Sequence, residues 1–222
     1  MLQRETRGSR KSGGPWMHPT PTAATGGLRQ FWAEFTGLDQ DPEYFVTARL
    51  MEGRPAVWTS SIDYVRWRHE VARELLVDPL SVQVVGSARL GYSLNPKKDF
   101  KVFDSSSDMD IAVVSSELFE TAWTEIRQLL DGSTEFESRK SYLRKLVFDE
   151  CIALDVLLPH ISFGAGWSKS RDSIVRLLGP DFSHLLINYR LYRTHAALRR
   201  YQLIGVGTAR DRAIEEGLSD VS

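Results

Sequence analysis

The spacing of apolar residues along the chain predicts a mixture of helices and short strands. Helices are predicted where apolar side chains recur every three or four positions, at residues 28–38, 42–51, 61–76, 117–130, 170–178, 182–203 and 208–216. Two short runs rich in β-branched residues, 81–85 and 109–114, predict strands. Ser60 or Ser61 is a suitable N-cap for the third helix, Pro79 is expected to end it, and a further helix can start at Ala88. We therefore expect an α+β fold.

A hairpin is predicted from two apolar runs, 141–148 and 151–158, which Asp149 and Glu150 join. Asp155 lies inside the second run, where it interrupts an otherwise apolar strand. Because burial of an unpaired carboxylate is costly, a bound cation is the natural partner for this residue.

The predicted organisation is a tail, a core and helical additions. Residues 1–27 are basic and rich in Gly, Ser and Pro, so we expect a disordered tail, although such a segment could bind a partner. Residues 81–160 are the predicted core, a mixed sheet backed by helices. N-terminal helices at residues 28–80 and C-terminal helices at residues 161–222 are expected to pack on this core.

Composition narrows the possible functions. The formal net charge is −1 and 26% of residues are charged, so bulk attraction to polyanions is not expected, although a local basic patch stays open. The single cysteine, Cys151, cannot form an intramolecular disulfide. The sequence contains neither a run of about 18 apolar residues nor the apolar core of a signal peptide. We therefore expect a cytoplasmic protein without a membrane partner.

Acidic residues in two predicted strands are candidate metal ligands. Asp108 and Asp110 are two positions apart at the head of a strand, so their side chains point to the same face of the sheet. Carboxylate oxygens are the ligands that Mg²⁺ prefers. With Asp155 on a neighbouring strand, the set could bind two divalent ions, which together activate an attacking hydroxyl and stabilise a leaving pyrophosphate.

A turn upstream of the acid pair is a candidate phosphate site. Gly86 and Ser87 follow a strand and lead into a predicted helix, where backbone N–H groups are free to bind an anion. Gly86 permits close approach of a phosphate, and the Ser87 hydroxyl can donate to a phosphate oxygen. Gly91 permits a second close approach.

Three segments of the sequence resemble the DNA polymerase β-type nucleotidyltransferase superfamily. They are residues 84–91 (Val-Val-Gly-Ser-Ala-Arg-Leu-Gly), 107–113 (Ser-Asp-Met-Asp-Ile-Ala-Val) and 154–156 (Leu-Asp-Val). The superfamily's signature is a Gly-Ser turn, an acid-x-acid pair on the next strand and a third acid on a later strand. The resemblance, which covers residues 81–159, implies the nucleotidyltransferase fold. It also implies transfer of a nucleoside monophosphate from an NTP to a hydroxyl, with release of pyrophosphate.

The same resemblance implies roles for individual residues. Asp108 and Asp110 would bridge two Mg²⁺ or Mn²⁺ ions, and Asp155 would bind the catalytic ion and orient or deprotonate the acceptor hydroxyl. Gly86 and Ser87 would hold the β- and γ-phosphates of the NTP, and ATP is the expected donor. The acceptor stays open between a nucleotide, a nucleic acid, a protein and a small molecule.

Several basic and aromatic residues are further candidates, each with a structural alternative. Arg89 could reach a phosphate or lie on the surface. Lys97, Lys98 and Lys101 could contact the triphosphate or a polyanionic acceptor, or belong to a solvated loop. In the predicted late helix, Tyr189, Arg193 and the neighbouring residues 190–192 and 199–201 could stack a base or bind phosphate. Alternatively, those aromatics pack in the core and the arginines are solvated.

Alternative functions also follow from the resemblance. The long gap between the Gly-Ser turn and the acid pair is similar to that of cyclic or linear oligonucleotide signal synthases, which would place the chain in antiviral defence. Minimal nucleotidyltransferase antitoxins, which adenylylate a protein partner, are another comparison. A module that senses nucleotide within a complex, without turnover, is the alternative from a different class.

Overall fold

The computed structural model describes residues 27–132 and 137–218. Its helices are α1 (Leu28–Thr36), α2 (Pro42–Phe45), α3 (Ser61–Leu75), α4 (Ser87–Leu90), α5 (Ser116–Gly132), α6 (Lys140–Phe148), α7 (Gly164–Leu178) and α8 (His195–Glu215). A π-helical segment, Val46–Met51, continues α2. Short 3-10 turns lie at Pro79–Ser81, Pro96–Lys98, Glu137–Arg139, Leu158–His160 and Pro180–Phe182. The strands are β1 (Val82–Val85), β2 (Met109–Val114), β3 (Cys151–Ala153) and β4 (Ile187–Tyr192).

The strands form one mixed sheet in the order β1-β2-β4-β3. Strand β2 is antiparallel to β1 and parallel to β4, and β3 is antiparallel to β4. In this register Val85 pairs with Asp110, and Asp110 pairs with Asn188. The predicted α+β fold, with a mixed sheet backed by helices, is therefore confirmed.

The two faces of the sheet are covered by different helices. One face presents Met109, Ile111, Val113, Tyr189 and Leu191 to a core that also contains buried residues of α3, α5 and α7. Alternate residues of the strands point to the opposite face because the side-chain period of a strand is two. On that face Val85, Ala112, Val114, Cys151 and Tyr192 pack with Leu198 of α8.

A separate cluster joins the helices at the two ends of the described chain. Phe31 and Phe35 of α1 and Phe45 of α2 are fully buried and in mutual ring contact. Val206 and Ala209 of α8 belong to the same cluster. The predicted packing of N- and C-terminal helices therefore takes the form of a shared second core, which holds α8 across the sheet.

Local side-chain and backbone conformation determine where helix α3 begins and ends. The Ser60 hydroxyl oxygen accepts a hydrogen bond from the Asp63 N–H, so the predicted N-cap is confirmed. The helix ends at Leu75, and its C-cap residue, Leu76, adopts a left-handed conformation with φ of 57°. The prediction that Pro79 ends the helix was therefore wrong, since the chain has already turned before it.

The predicted hairpin at residues 141–158 was wrong. Its first run is helix α6, whose Leu143 and Leu146 are buried against the main core. Its second run is a strand only as far as Ala153. Leu143, Leu146 and Val147 have helical spacing, and the charged residues between them would have broken the alternation of a half-buried strand. Asp155 therefore lies in a turn rather than in a strand.

The predicted helix at residues 182–203 was also wrong in its first half, which contains strand β4. Ile187, Tyr189 and Leu191 are buried and alternate with the half-buried Asn188 and Arg190. This is the period of two expected of a strand, although the flanking aromatic and arginine residues also fit a helical spacing. The helix begins only at His195, after the Thr194 side chain caps it.

Two further predictions meet the described residues only in part. The predicted tail at residues 1–27 lies outside them, apart from Gly27. Within residues 27–132 and 137–218, none of the helices combines the length and apolar character needed to cross a membrane.

Replacement of Leu191 by alanine tests the central position of β4. Leu191 is fully buried in the main core, so Leu191→Ala is expected to lower the free energy of unfolding by about 2–5 kcal/mol. Ile204→Ala is the matched control, because Ile204 is 60% exposed on α8 and should cost less than about 0.5 kcal/mol. Urea denaturation followed by circular dichroism measures both, and equal effects would contradict the assignment of β4 to the core.

Candidate active site

A cavity of about 530 Å³ opens where β1 ends and where β2 and β4 begin. The α8 helix and the loop after α4 complete its wall. Residues that carry candidate chemistry in its lining are Gly86, Ser87, Lys98, Asp108, Asp110, Arg190 and Tyr201. The cavity therefore unites the predicted phosphate turn and the predicted acid pair, which are about twenty residues apart in the sequence.

The turn at Gly86 brings the backbone against a carboxylate. Gly86 has φ of 67°, a left-handed value that favours glycine. A Cβ at this position would stand 3.0 Å from Oδ2 of Asp110. A side chain here would therefore be strained and would crowd the acid, which explains why the strand must end in glycine before Ser87 starts α4.

Asp110 is half-buried, more so than Asp155, and is already paired. Its Oδ1 atom lies 3.3 Å from Nε of Arg190, which is two positions after Asn188 on the neighbouring parallel strand. Nη1 of Arg190 donates to the Tyr201 hydroxyl at 3.4 Å, and the guanidinium lies over the Tyr201 ring with its carbon 5.8 Å from the ring centroid. Asp110, Arg190 and Tyr201 form one polar cluster between the sheet and α8.

Burial and neighbouring charges act in opposite directions on this cluster. Burial raises the pKa of Asp110, the Arg190 guanidinium opposes that rise, and Asp155 and Asp108 add to it. Burial acts to lower the pKa of Arg190, but the Asp110 carboxylate and the nearby tyrosines outweigh it, so the pKa is raised. Burial raises the pKa of Tyr201 as well. Asp108 and Asp155 thus add negative charge around Asp110, which one guanidinium partly offsets, and an added cation would stabilise this arrangement.

Asp155 is placed differently from the prediction. It lies in a turn after β3, its side chain is 41% exposed, and Nη2 of Arg171 is 3.9 Å from its Oδ1. It lines a second cavity of about 630 Å³ that is walled by α7 and residues 179–188. The expected cost of burying this carboxylate does not exist. Asn188 lines both cavities, so the two sites are neighbours.

The residues at the first cavity suit a divalent cation only in part. Among residues 27–132 and 137–218, no three His, Cys, Asp or Glu side chains are grouped so that they could hold a metal ion by themselves. Asp108 and Asp110 nevertheless line one cavity and offer only oxygen donors. Mg²⁺ is commonly bound by one or two carboxylates together with phosphate and water oxygens. The donor set therefore fits a Mg²⁺ or Mn²⁺ ion that arrives with a phosphate ligand.

Arg89 does not reach the cavity. Its side chain is buried, and its guanidinium donates to the backbone carbonyl oxygens of Arg49, Glu52 and Gly53. These bonds tie α4 to the segment that follows the π-helical residues 46–51. Both the predicted phosphate contact and the surface alternative were wrong for Arg89, because the guanidinium is used to satisfy backbone oxygens of a buried turn.

Gly91 and Lys101 also stand apart from the cavity lining. Gly91 ends α4 with φ of 89°, and a Cβ there would lie 3.4 Å from Cβ of Ala56. Nζ of Lys101 donates to Asp104 and Ser106 within the exposed loop. Of the three loop lysines, Lys98 is the one that lines the cavity.

Tyr189 lies on strand β4 and Arg193 directly after it, and neither lines the cavity. Tyr189 is fully buried in the main core, where its hydroxyl shares a hydrogen bond of 2.7 Å with that of Ser170. Burial raises its pKa to about 12. Arg193 pairs with Glu120 and Glu150. Tyr189 points into the core because alternate residues of a strand point to opposite faces, which leaves its ring no access to a nucleotide. A nucleotide contact by Arg193 stays a prediction.

Among the candidate residues 189–193 and 199–201, which were predicted to lie in a late helix, Arg190 and Tyr201 line the cavity. Asn188, which was not predicted at all, joins them through its pairing with Asp110. The signal that could have revealed Asn188 and Arg190 is the alternation of polar and apolar residues from Ile187 to Tyr192. That alternation identifies a strand with one polar face.

Comparison with protein-family models, with curated proteins and with solved structures finds no match to this chain.

Replacement of Arg190 tests the electrostatics of the cluster. The Arg190 guanidinium is the strongest of the groups that lower the pKa of Asp110 against the effect of burial. Its loss in Arg190→Gln should therefore raise that pKa further. A carboxyl group whose folded pKa lies above its unfolded value loses stability as pH rises between the two values. The unfolding free energy of the variant should therefore fall further below that of the wild type once the pH passes the wild-type Asp110 pKa, which itself lies above 3.8, and the difference should level off above the variant's higher pKa.

Arg200→Gln is the control, since Arg200 pairs with Glu150 and not with Asp110. Urea denaturation over pH 3.5–8 measures stability, and carboxyl-carbon NMR titration measures the pKa directly. An unchanged Asp110 pKa in Arg190→Gln would contradict the pairing.

Proposed function

We propose that this chain is a nucleotidyltransferase that moves a nucleoside monophosphate from an NTP, most simply ATP, to a hydroxyl acceptor with release of pyrophosphate. The observation that carries the proposal is the single cavity lined by Gly86, Ser87, Asp108 and Asp110. Two segments about twenty residues apart in sequence meet at this cavity. One supplies a backbone turn that could bind phosphate, and the other supplies a pair of acids. A fold in which these motifs were accidental would have no reason to place them around one cavity.

The charges around the cavity suit a triphosphate. Lys98 and Arg190 line it together with Lys145, which is paired with Asp149. Cations opposite an acid pair can bind phosphate oxygens while the acids hold a metal. Ser87 would donate its hydroxyl to a phosphate, and the backbone at Gly86 leaves the room that the phosphate needs.

Asp108 and Asp110 would hold the Mg²⁺ or Mn²⁺ ion, which neutralises charge on the triphosphate and on the leaving pyrophosphate when it is bound. Arg190 opposes the rise that burial causes in the pKa of Asp110, and its hydrogen bond fixes the direction of the carboxylate across the sheet. Tyr201 of α8 holds the guanidinium from the other side. Asp155, which lines the second cavity and is near enough to influence the charge of Asp110, would orient the acceptor hydroxyl from that side.

A second candidate function is a nucleotide-binding module without turnover. One observation favours it: Asp110 is already paired with Arg190, and Asp155 faces a different cavity. Such a site could bind a nucleotide through cations and the Gly86 turn without assembling the three acids. The two candidates share nucleotide binding and differ in whether pyrophosphate is released.

The deciding experiment supplies each of the four NTPs with Mg²⁺ or Mn²⁺ and measures pyrophosphate release and transfer of an α-³²P label. Asp108→Asn and Asp110→Asn should each lower the rate about a thousandfold, since losing about 4 kcal/mol of charge stabilisation has that effect. Asp155→Asn should lower turnover while leaving the affinity for NTP unchanged, because Asp155 lies outside the first cavity.

Asp211→Asn is the matched control, because Asp211 is an exposed acid of α8 that does not line the cavity. Full activity in the acid-pair variants would exclude the proposed site. Tight NTP binding with no pyrophosphate release in the wild type, at any metal, would establish the binding module instead.

A further inference from the structure

Helix α6 carries an unusual concentration of positive charge for a chain of net charge −1. Residues 138–148 contain four basic residues and no acidic one. Leu143 and Leu146 face the core, so the basic residues project from the outer side of the helix. We call this outer side the α6 basic face and define it by Arg139, Lys140, Tyr142, Arg144, Lys145 and Phe148.

Two aromatic side chains stand among these cations. Phe148 is 86% exposed and Tyr142 is 53% exposed. A large aromatic residue left almost wholly in water has no packing role in the isolated chain, and such exposure marks an interaction site when it lies beside other binding groups. Exposed rings interleaved with cations are the combination that binds single-stranded nucleic acid, since bases stack on rings and phosphates pair with cations.

The α6 basic face is continuous with the candidate active site. Lys145 lines the first cavity, and Asp149, directly after α6, lines it too. Tyr142 and Lys145 both lie close enough to Tyr201, a cavity residue, to interact with it electrostatically. A single-stranded nucleic acid that lies on α6 would therefore have one end at the mouth of the cavity.

The acids next to α6 do not cancel its charge. Asp149 is paired with Lys145, and Glu150 is paired with both Arg193 and Arg200. Glu120 also pairs with Arg193, so the two arginines are balanced by two glutamates. The excess positive charge comes from Arg139, Lys140 and Arg144. The surface beside the cavity is therefore cationic, although the whole chain is not.

We propose that the α6 basic face binds a single-stranded nucleic acid and delivers its 3′ end to the cavity as the acceptor. This identifies the acceptor class and rests on the proposed nucleotidyltransferase function. In the transfer, the 3′-hydroxyl oxygen forms a bond to the α-phosphorus of the NTP while the bond from that phosphorus to the bridging oxygen breaks. Pyrophosphate leaves, and the hydroxyl proton passes to solvent. An acidic protein would use the cations but would have no need of the two exposed rings.

Binding is measured first, without NTP, so that it is independent of turnover. A fluorescent single-stranded RNA of 20 nucleotides and its DNA counterpart are titrated with the full chain by anisotropy, at several salt concentrations. Arg139→Gln/Arg144→Gln should weaken binding about tenfold at low salt and should reduce the slope of log K against log salt by about 1.4, from two lost phosphate contacts. Phe148→Ala and Tyr142→Ala should each weaken binding about 5- to 100-fold, as expected from loss of one stacked base.

Matched controls carry the same chemical changes elsewhere. Arg66→Gln/Arg73→Gln removes two exposed arginines of α3 that lie outside the α6 basic face, and Leu76→Ala removes an apolar side chain that is 91% exposed. Both should bind like the wild type. All substituted positions are exposed, and thermal unfolding verifies that each variant is folded.

The outcomes separate this proposal from the proposed function. Absence of oligonucleotide binding, or equal binding by wild type and the α6 variants, would overturn the acceptor assignment even if NTP turnover is observed. Equal affinity for poly-glutamate, unaltered by Phe148→Ala, would also overturn it in favour of an acidic protein. Oligonucleotide binding that depends on α6, together with pyrophosphate release but no extension of a free 3′ hydroxyl, would overturn the acceptor assignment and leave the transferase standing. The same binding with no pyrophosphate release from any NTP would refute the transferase itself.

Discussion

The parallel pairing of β2 with β4 is the constraint on which the candidate site depends. It places Asn188 beside Asp110, and Arg190 two residues further along the same face. An isolated carboxylate at the depth of Asp110 would be costly, and so would an isolated guanidinium, but together each lowers the cost of the other. The pair therefore links the register of the central strands to the electrostatics of the cavity. A slip of one residue would turn Arg190 into the core and leave Asp110 without its partner.

The same face of the sheet divides into an apolar half and a polar half along the strands. Ala112, Val114 and Tyr192 pack beneath α8, whereas Asp110 and Arg190, earlier on the same strands, line the cavity. Helix α8 spans both halves and is held at its far end by the aromatic cluster of α1 and α2. The position of Tyr201 is thus set by packing that lies far from the chemistry, which gives the N-terminal helices a part in shaping the site.

Local signals predicted the acid pair and the Gly-Ser turn well, because each depends on residues that are adjacent in sequence. Gly86 is required by its own φ value and by its closeness to Asp110. The burial and hydrogen bonds of Arg89 could not be predicted from the sequence, because the carbonyl groups that it contacts lie 36 to 40 residues away along the chain. The predictions for the segments of Asp155 and β4 were wrong for a different reason. The apolar runs in these segments fit both a helical and a strand period. For β4, its pairing between β2 and β3 selects the strand.

Under the proposed function, the position of β3 at the edge of the sheet would decide how an acceptor approaches. On the β1 side the cavity is lined by the loop that contains Asn95 and Lys98, and above it by α8. The remaining approaches lie toward the other edge, where α6 leads into β3 and where Asp155 follows it. One of these approaches is cationic and bears exposed rings, and the other holds an acid of the second cavity. Under the proposed function, the basic residues of α6 would attract a polyanionic acceptor, whereas at the second cavity the charge of Asp155 is opposed by that of Arg171. Electrostatics would therefore favour entry along α6, with Asp155 meeting the acceptor only at its terminal hydroxyl.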